Sequence, residues 1–133
     1  IPLDHASGFG RAFAAGGGVA AAVAQGLKER GSPVEAKTVA CSGIEECKMA
    51  LLKMSKGVLP ENFIEGMACV GGCVQGPGII NRSPKNKNEV ARHVKEAGGR
   101  TITDAVNAIG GPGSAPAESS AKKPGGAVEK ARV

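Results

Sequence analysis

Apolar residues in this chain change their spacing several times, and each change predicts an element. Gly16-Gly17-Gly18 interrupts an alanine-rich run, and the residues from about Val19 to Arg30 then read as a helix that stops at Gly31. Val34 to Cys41 (VEAKTVAC) alternates weakly and carries β-branched residues toward its end, which predicts a strand. Ser42-Gly43-Ile44-Glu45 has the form of a capping box, in which the serine and the glutamate three residues later each satisfy a free amide at a helix start. Ile44, Cys47, Leu51, Met54 and Val58 recur at helical spacing and predict one apolar face, with Gly57 and Pro60 ending the helix. Asn62 to Ala68 (NFIEGMA) is short, apolar and bounded by turn residues, hence a second strand. Glu89 to Ala97 predicts a polar helix closed by Gly98-Gly99, and Asp104 to Ile109 a last short one.

Strand, capped helix, strand is a βαβ unit. The expected fold class is therefore α/β, with two parallel strands joined by a right-handed crossover and flanked by helices. In such sheets ligands bind at the carboxyl ends of the strands. Cys41 ends the first strand and Cys69 follows the second, so this reading gathers Cys41, Cys69 and Cys73 on one side of the sheet. From Gly110 onward the sequence runs GGPGSAPAESSAKKPGGAVEKARV, a composition that cannot offset its own ordering entropy. Residues 1–109 are thus expected to form one domain and residues 110–133 a disordered tail.

Composition adds exclusions. With 21 glycines, no Trp or Tyr, and only Phe9, Phe13 and Phe63 as aromatics, the chain lacks an aromatic platform on which bases could stack. The same shortage makes for a thin core, since alanine and valine bury little apolar area. The net charge of +5 comes from the stretch between Arg82 and Arg100 and from the tail. No helix-turn-helix or zinc-finger spacing accompanies it, so a solvated basic surface is expected and no nucleic-acid partner. No segment reaches the roughly 18 apolar residues of a membrane span. The run from Ala12 to Ala24 is broken by its three glycines and lacks a signal-cleavage pattern. The chain opens on Ile1 as though cut from something longer, and a cytoplasmic protein is expected. The glycines before the first long helix are followed by no Gly-Lys-Ser/Thr, which removes a phosphate loop. His5 and His93 are isolated and receive no catalytic role.

The candidate chemistry lies in the cysteines. Cys47 falls on the apolar helix face and reads as a small core hydrophobe. Cys41 reads as a buried strand-end thiol or a functional one. In Cys69-Val70-Gly71-Gly72-Cys73 two thiols flank two glycines, which offer positive φ and no Cβ to block close approach. The exposed amides of such a loop can donate to thiolate or sulfide. Spacing alone leaves two readings open: a metal or cluster loop, and a tight turn with incidental thiols. A complete zinc site needs four ligands, usually in close pairs, and there is one such pair here.

Phe63-Ile64-Glu65-Gly66-Met67-Ala68-Cys69-Val70-Gly71-Gly72-Cys73 closely resembles the third cysteine signature of the iron-only ([FeFe]) hydrogenases, found in the C-terminal catalytic domain of their large chain and reading roughly E-x-M-A-C-P-G-G-C. Upstream, Gly10-Arg11-Ala12-Phe13-Ala14-Ala15-Gly16-Gly17-Gly18-Val19 is similar to that family's G-x-x-F-G-x-T-G-G-V segment. The resemblance implies that Cys69 is a terminal thiolate of a [4Fe–4S] cluster and that Cys73 joins this cubane to a two-iron subcluster, the two together being the H-cluster. Gly71 and Gly72 would let the loop close on the cluster, and Met67 and Phe13 would be apolar walls beside the diiron site. Without the resemblance, Met67 and Phe13 read as plain core residues. Val70 replaces the signature proline, Gln75-Gly76-Pro77-Gly78-Ile79 replaces its usual ending, and Ala14, Gly16 and Ala21 depart from the upstream segment, as in a divergent branch. The family's first two signatures, which supply the other cubane ligands, would lie upstream of Ile1. The resemblance therefore implies one lobe of an anaerobic, electron-transferring oxidoreductase or hydrogen sensor, inactive by itself and holding no cluster stably. Its partners would be the upstream lobe and a ferredoxin-like electron carrier. Two other readings compete: a thiol redox or metal-binding module built on Cys69 and Cys73, and an interaction domain docking through its basic tail.

Overall fold

A computed structural model describes residues 5–110; residues 1–4 and 111–133 lie outside it, and with them the expected tail beyond Gly110. In chain order the elements are α1 (Gly8–Arg11), a 3-10 turn (Ala12–Ala14), α2 (Gly18–Glu29), β1 (Thr38–Ser42), α3 (Ile44–Ser55), β2 (Phe63–Met67), a second 3-10 turn (Cys73–Gln75), α4 (Asn86–Lys95) and α5 (Ile102–Ile109). The mixed α/β class and the parallel pair are as expected. β1 and β2 run parallel in register Thr38↔Phe63 through Ser42↔Met67, with α3 as the crossover between them.

The sheet is sandwiched. Glu65 reaches the start of α2, whereas Gly66 packs against the Cys47 thiol of α3, so alternate residues of β2 face opposite helices. The core is built largely of small residues. Ala20, Ala22, Cys41, Ala50, Val74, Ala97 and Ala105 are buried, and among the described residues no large side chain is fully so. Close packing comes from backbone approach: a side chain at Gly18 would run into the carbonyl of Ala12, which seats α2 directly on the turn before it.

Three sequence expectations need correction. β1 begins at Thr38 rather than Val34, because β2 begins at Phe63 and offers no ladder partner to the preceding residues. Asn62 ties that segment down instead: its side-chain oxygen accepts from Lys37 N at 2.8 Å and its amide donates to Glu35 O at 2.9 Å. The capping box at Ser42 does not form. Ser42 is the last residue of β1, Gly43 is the N-cap, and the carboxylate that accepts the Ser42 amide is that of Glu46, at 2.7 Å. A capping box does form at α5, where the Thr101 hydroxyl accepts from Asp104 N and the Asp104 carboxylate accepts from Thr101 N. Finally, the apolar stripe expected on α3 is split: Cys47 faces the sheet as expected, Ile44 and Leu51 are 66% and 58% exposed, and Val58, 65% exposed, lies beyond the end of the helix at Ser55. The helix meets the sheet through Cys47 and Ala50, since a two-stranded sheet covers only a narrow strip of a helix about 10 Å wide. None of the described helices is long and apolar enough to cross a membrane.

Candidate functional site

The chain leaves β2 at Met67 and turns at once through Cys69 to Gly76, above the carboxyl ends of both strands. The turn is closed by its own backbone: Gly72 N donates to Cys69 O at 3.0 Å, and Gly76 N to Cys73 O at 3.0 Å. Gly71 and Gly72 take φ of 86° and 85°, a region that side chains disfavour. Gly72 is also needed sterically, because a Cβ there would lie 2.7 Å from Gly16 N and 2.9 Å from Ala14 O. The two segments quoted for the family resemblance, around Phe13 and around Cys69, therefore meet backbone to backbone.

Three further groups surround this loop, of which Ser42 alone bonds to it. The Ser42 hydroxyl, at the end of β1, accepts from Gly71 N at 2.6 Å. The buried Glu65 carboxylate accepts from Gly17 N and Ala20 N at 3.0 and 2.8 Å, fixing β2 to the amino end of α2. Lys87 of α4 lies against the loop from outside: a side-chain carbon built on Gly71 would stand 3.4 Å from its ammonium nitrogen. Sequence reasoning gives none of the three this role. Glu65 is visible there only as a letter of the signature, Ser42 reads as a helix cap, and Lys87 enters only as charge.

The loop brings Cys69 and Cys73 onto one turn, with Cys69 half-buried and Cys73 exposed. A Cβ at Gly76 would sit 3.3 Å from Cys69 Sγ, so the backbone lies close along that thiol. Cys41 does not join them. It is buried beneath α3, where the Cys47 thiol donates weakly to its carbonyl at 3.9 Å and to that of Met67 at 3.7 Å. Burial, then the neighbouring Cys47, Glu46 and Glu61, push the Cys41 thiol above its ordinary range and away from the thiolate that binds metal. Met67 ends β2 opposite Ser42 and is partly exposed. Phe13 is 49% exposed. It lines an apolar hollow of about 280 Å³ with Phe9, Val23 and Ile102.

Among the described residues no three His, Cys, Asp or Glu side chains converge as a metal site. A [4Fe–4S] cluster takes four thiolates. The donor set here, two cysteines on one close-wound glycine turn, fits two of those four positions and no more.

Comparison with the curated proteins and with the solved structures found no match. A family model, described as iron only hydrogenase large subunit, C-terminal domain, matches residues 1–77, a span that holds α1, α2, the βαβ unit and the whole cysteine loop. With more than half of its length matched in this way, the chain belongs to the family formed by the C-terminal domain of the iron-only hydrogenase large subunit.

Proposed function

We propose that this chain contributes Cys69 and Cys73 as two thiolate ligands to the iron–sulfur centre of a hydrogenase-like protein, Cys73 at the junction with a diiron subcluster. When bound, that centre supplies the electron chemistry of hydrogen oxidation, proton reduction or hydrogen sensing. The observation that carries the reading is the Cys69–Cys73 turn, wound tightly by two glycines in a region closed to other residues and packed on the 14–16 backbone. Such a turn brings both thiols to one face of a short loop, with no Cβ at its two glycines to obstruct a shared group.

The rest of the chain positions these donors. Ser42 fixes the loop from the sheet side, and Gly72 allows it to seat on the segment after Phe13. Met67 and Phe13 supply apolar surface that limits water near the diiron site. The upstream lobe completes the ligand set, and an electron carrier of ferredoxin type is its partner.

The test is anaerobic reconstitution of the full chain with ferrous iron and sulfide, with 2-mercaptoethanol standing in for the two thiolates of the upstream lobe, without which this chain is not expected to hold a cluster, and with unbound iron removed by desalting before the spectrum is read. Broad visible absorbance from thiolate-to-iron charge transfer is expected, and Cys69→Ser and Cys73→Ser should each lose most of it while Cys47→Ser keeps it. Unchanged absorbance in the Cys69→Ser/Cys73→Ser double variant would overturn the assignment.

A further inference from the structure

Lys87 is not part of the matched span, which ends at residue 77. It lies in the first turn of α4, and the fold lays its side chain over the cysteine loop. A carbon built on Gly71 would be 3.3 Å from Lys87 Cε and 3.4 Å from Lys87 Nζ. Gly71 stands between the two candidate ligands, two residues from each, and its own amide is committed to Ser42. Among the described residues no carboxylate pairs with the Lys87 ammonium; the ion pair in the same helix joins Arg92 to Glu89. The cation therefore lies against the loop, with no carboxylate paired to it among the described residues.

From this we infer that Lys87 is an electrostatic tuning residue, whose ammonium raises the reduction potential of the iron–sulfur centre held by Cys69 and Cys73. The inference rests on the function proposed above. A cluster bound by thiolates carries net negative charge, and reduction adds one more electron. A cation a few ångströms from the ligand loop stabilises the reduced state more than the oxidised one. Because Lys87 is exposed, its field is open to screening by salt. This marks a charge effect, since a packing role would ignore ionic strength.

The experiment reads the midpoint potential of the reconstituted full chain by dithionite titration, followed by the electron paramagnetic resonance of the reduced cluster. Lys87→Gln is expected to shift the midpoint negative, Lys87→Glu further in the same direction, and Lys87→Arg to stay near the parent value. The spread among the four should narrow as salt rises from about 0.01 M to about 1 M, where the screening length falls from about 30 Å to about 3 Å. A cluster that forms normally with equal potentials in all four proteins overturns the role of Lys87 alone. With 2-mercaptoethanol supplying the upstream lobe's two thiolates, a folded parent chain that still retains no iron–sulfur centre removes the proposed function, and this inference with it.

Discussion

The carboxylate of Glu65 accepts two backbone hydrogen bonds across the fold, from Gly17 at 3.0 Å and Ala20 at 2.8 Å. It thereby joins the strand that leads into the cysteine loop to the first turn of α2. A negative charge here meets both the free amides and the positive end of the helix dipole. Glu65→Gln keeps the shape but presents an amide hydrogen to at least one of those donors. The expected loss is about 1–3 kcal/mol, the cost of a buried donor left unsatisfied. Denaturant unfolding of the two proteins measures it, and equal midpoints would show that the bonds contribute nothing net.

Ser42 is tested by its loop. Its hydroxyl accepts from Gly71 N at 2.6 Å, and alanine leaves that amide without an acceptor. Ser42→Ala should cost about 1 kcal/mol of stability. It should also release iron to a chelator several-fold faster after reconstitution. Ser42→Thr keeps the hydroxyl and should restore the slow release. Identical release from all three proteins would mean that the loop holds its shape without the strand.

Gly72 admits no side chain. Its φ of 85° strains any other residue, and the new methyl group would lie 2.7 Å from Gly16 N. Gly72→Ala is expected to destabilise by about 1–3 kcal/mol. The substitution should also abolish charge-transfer absorbance, because the loop must lift off the 14–16 segment. Gly78→Ala is the control: no atom stands within 4 Å of a Cβ there, and stability and absorbance should be unchanged. Normal cluster formation in Gly72→Ala would show that the backbone contact is dispensable.

How much of this is legible in the sequence follows from the range of the forces involved. The βαβ unit and the cysteine turn can be read because each is written locally, in strand composition and in Cys-x-x-x-Cys with two glycines. The capping box expected at Ser42 fails because its hydroxyl is claimed by Gly71, 29 residues away, and a tertiary partner overrides a local one. The same motif at Thr101 and Asp104 forms, having no such competitor. The roles of Lys87 and Glu65 cannot be found from local sequence at all, since they exist only once α4 and α2 are in place.

Glu29 supplies an acid-sensitive clamp. Its carboxylate accepts from Gln25 at 2.9 Å, from the Thr103 hydroxyl at 2.7 Å, and from the first amides of α5 at Ile102 and Thr103. The hydrogen bonds of Gln25 and then Thr103 hold its pKa down, from an ordinary 4.5 to about 2. A carboxyl whose folded value lies below its unfolded one adds stability above the unfolded value, and that contribution is lost as pH falls. The window is therefore from about 4.5 down to about 2. Melting temperature should drop more steeply there for the parent than for Glu29→Gln, with the two converging in acid. Parallel curves would remove Glu29 as the cause.

The exposed Ile44 and Leu51 of α3 give the sharpest separation between sequence pattern and fold. Periodicity alone makes Leu51 a core residue, and truncating a core leucine to alanine costs about 2–5 kcal/mol. In the structure Leu51 is 58% exposed and Ala50, its neighbour, only 6%. The residue that touches the sheet is thus the small one. Leu51→Lys and Ile44→Lys are expected to stay within about 0.5 kcal/mol of the parent, as surface substitutions do. Ala50→Leu should cost about 1–3 kcal/mol by overpacking against β1. Denaturant unfolding of the three variants decides it. A large loss at Leu51 with tolerance at Ala50 would mean that α3 is turned the other way on the sheet, and that the sequence pattern was right about its buried face.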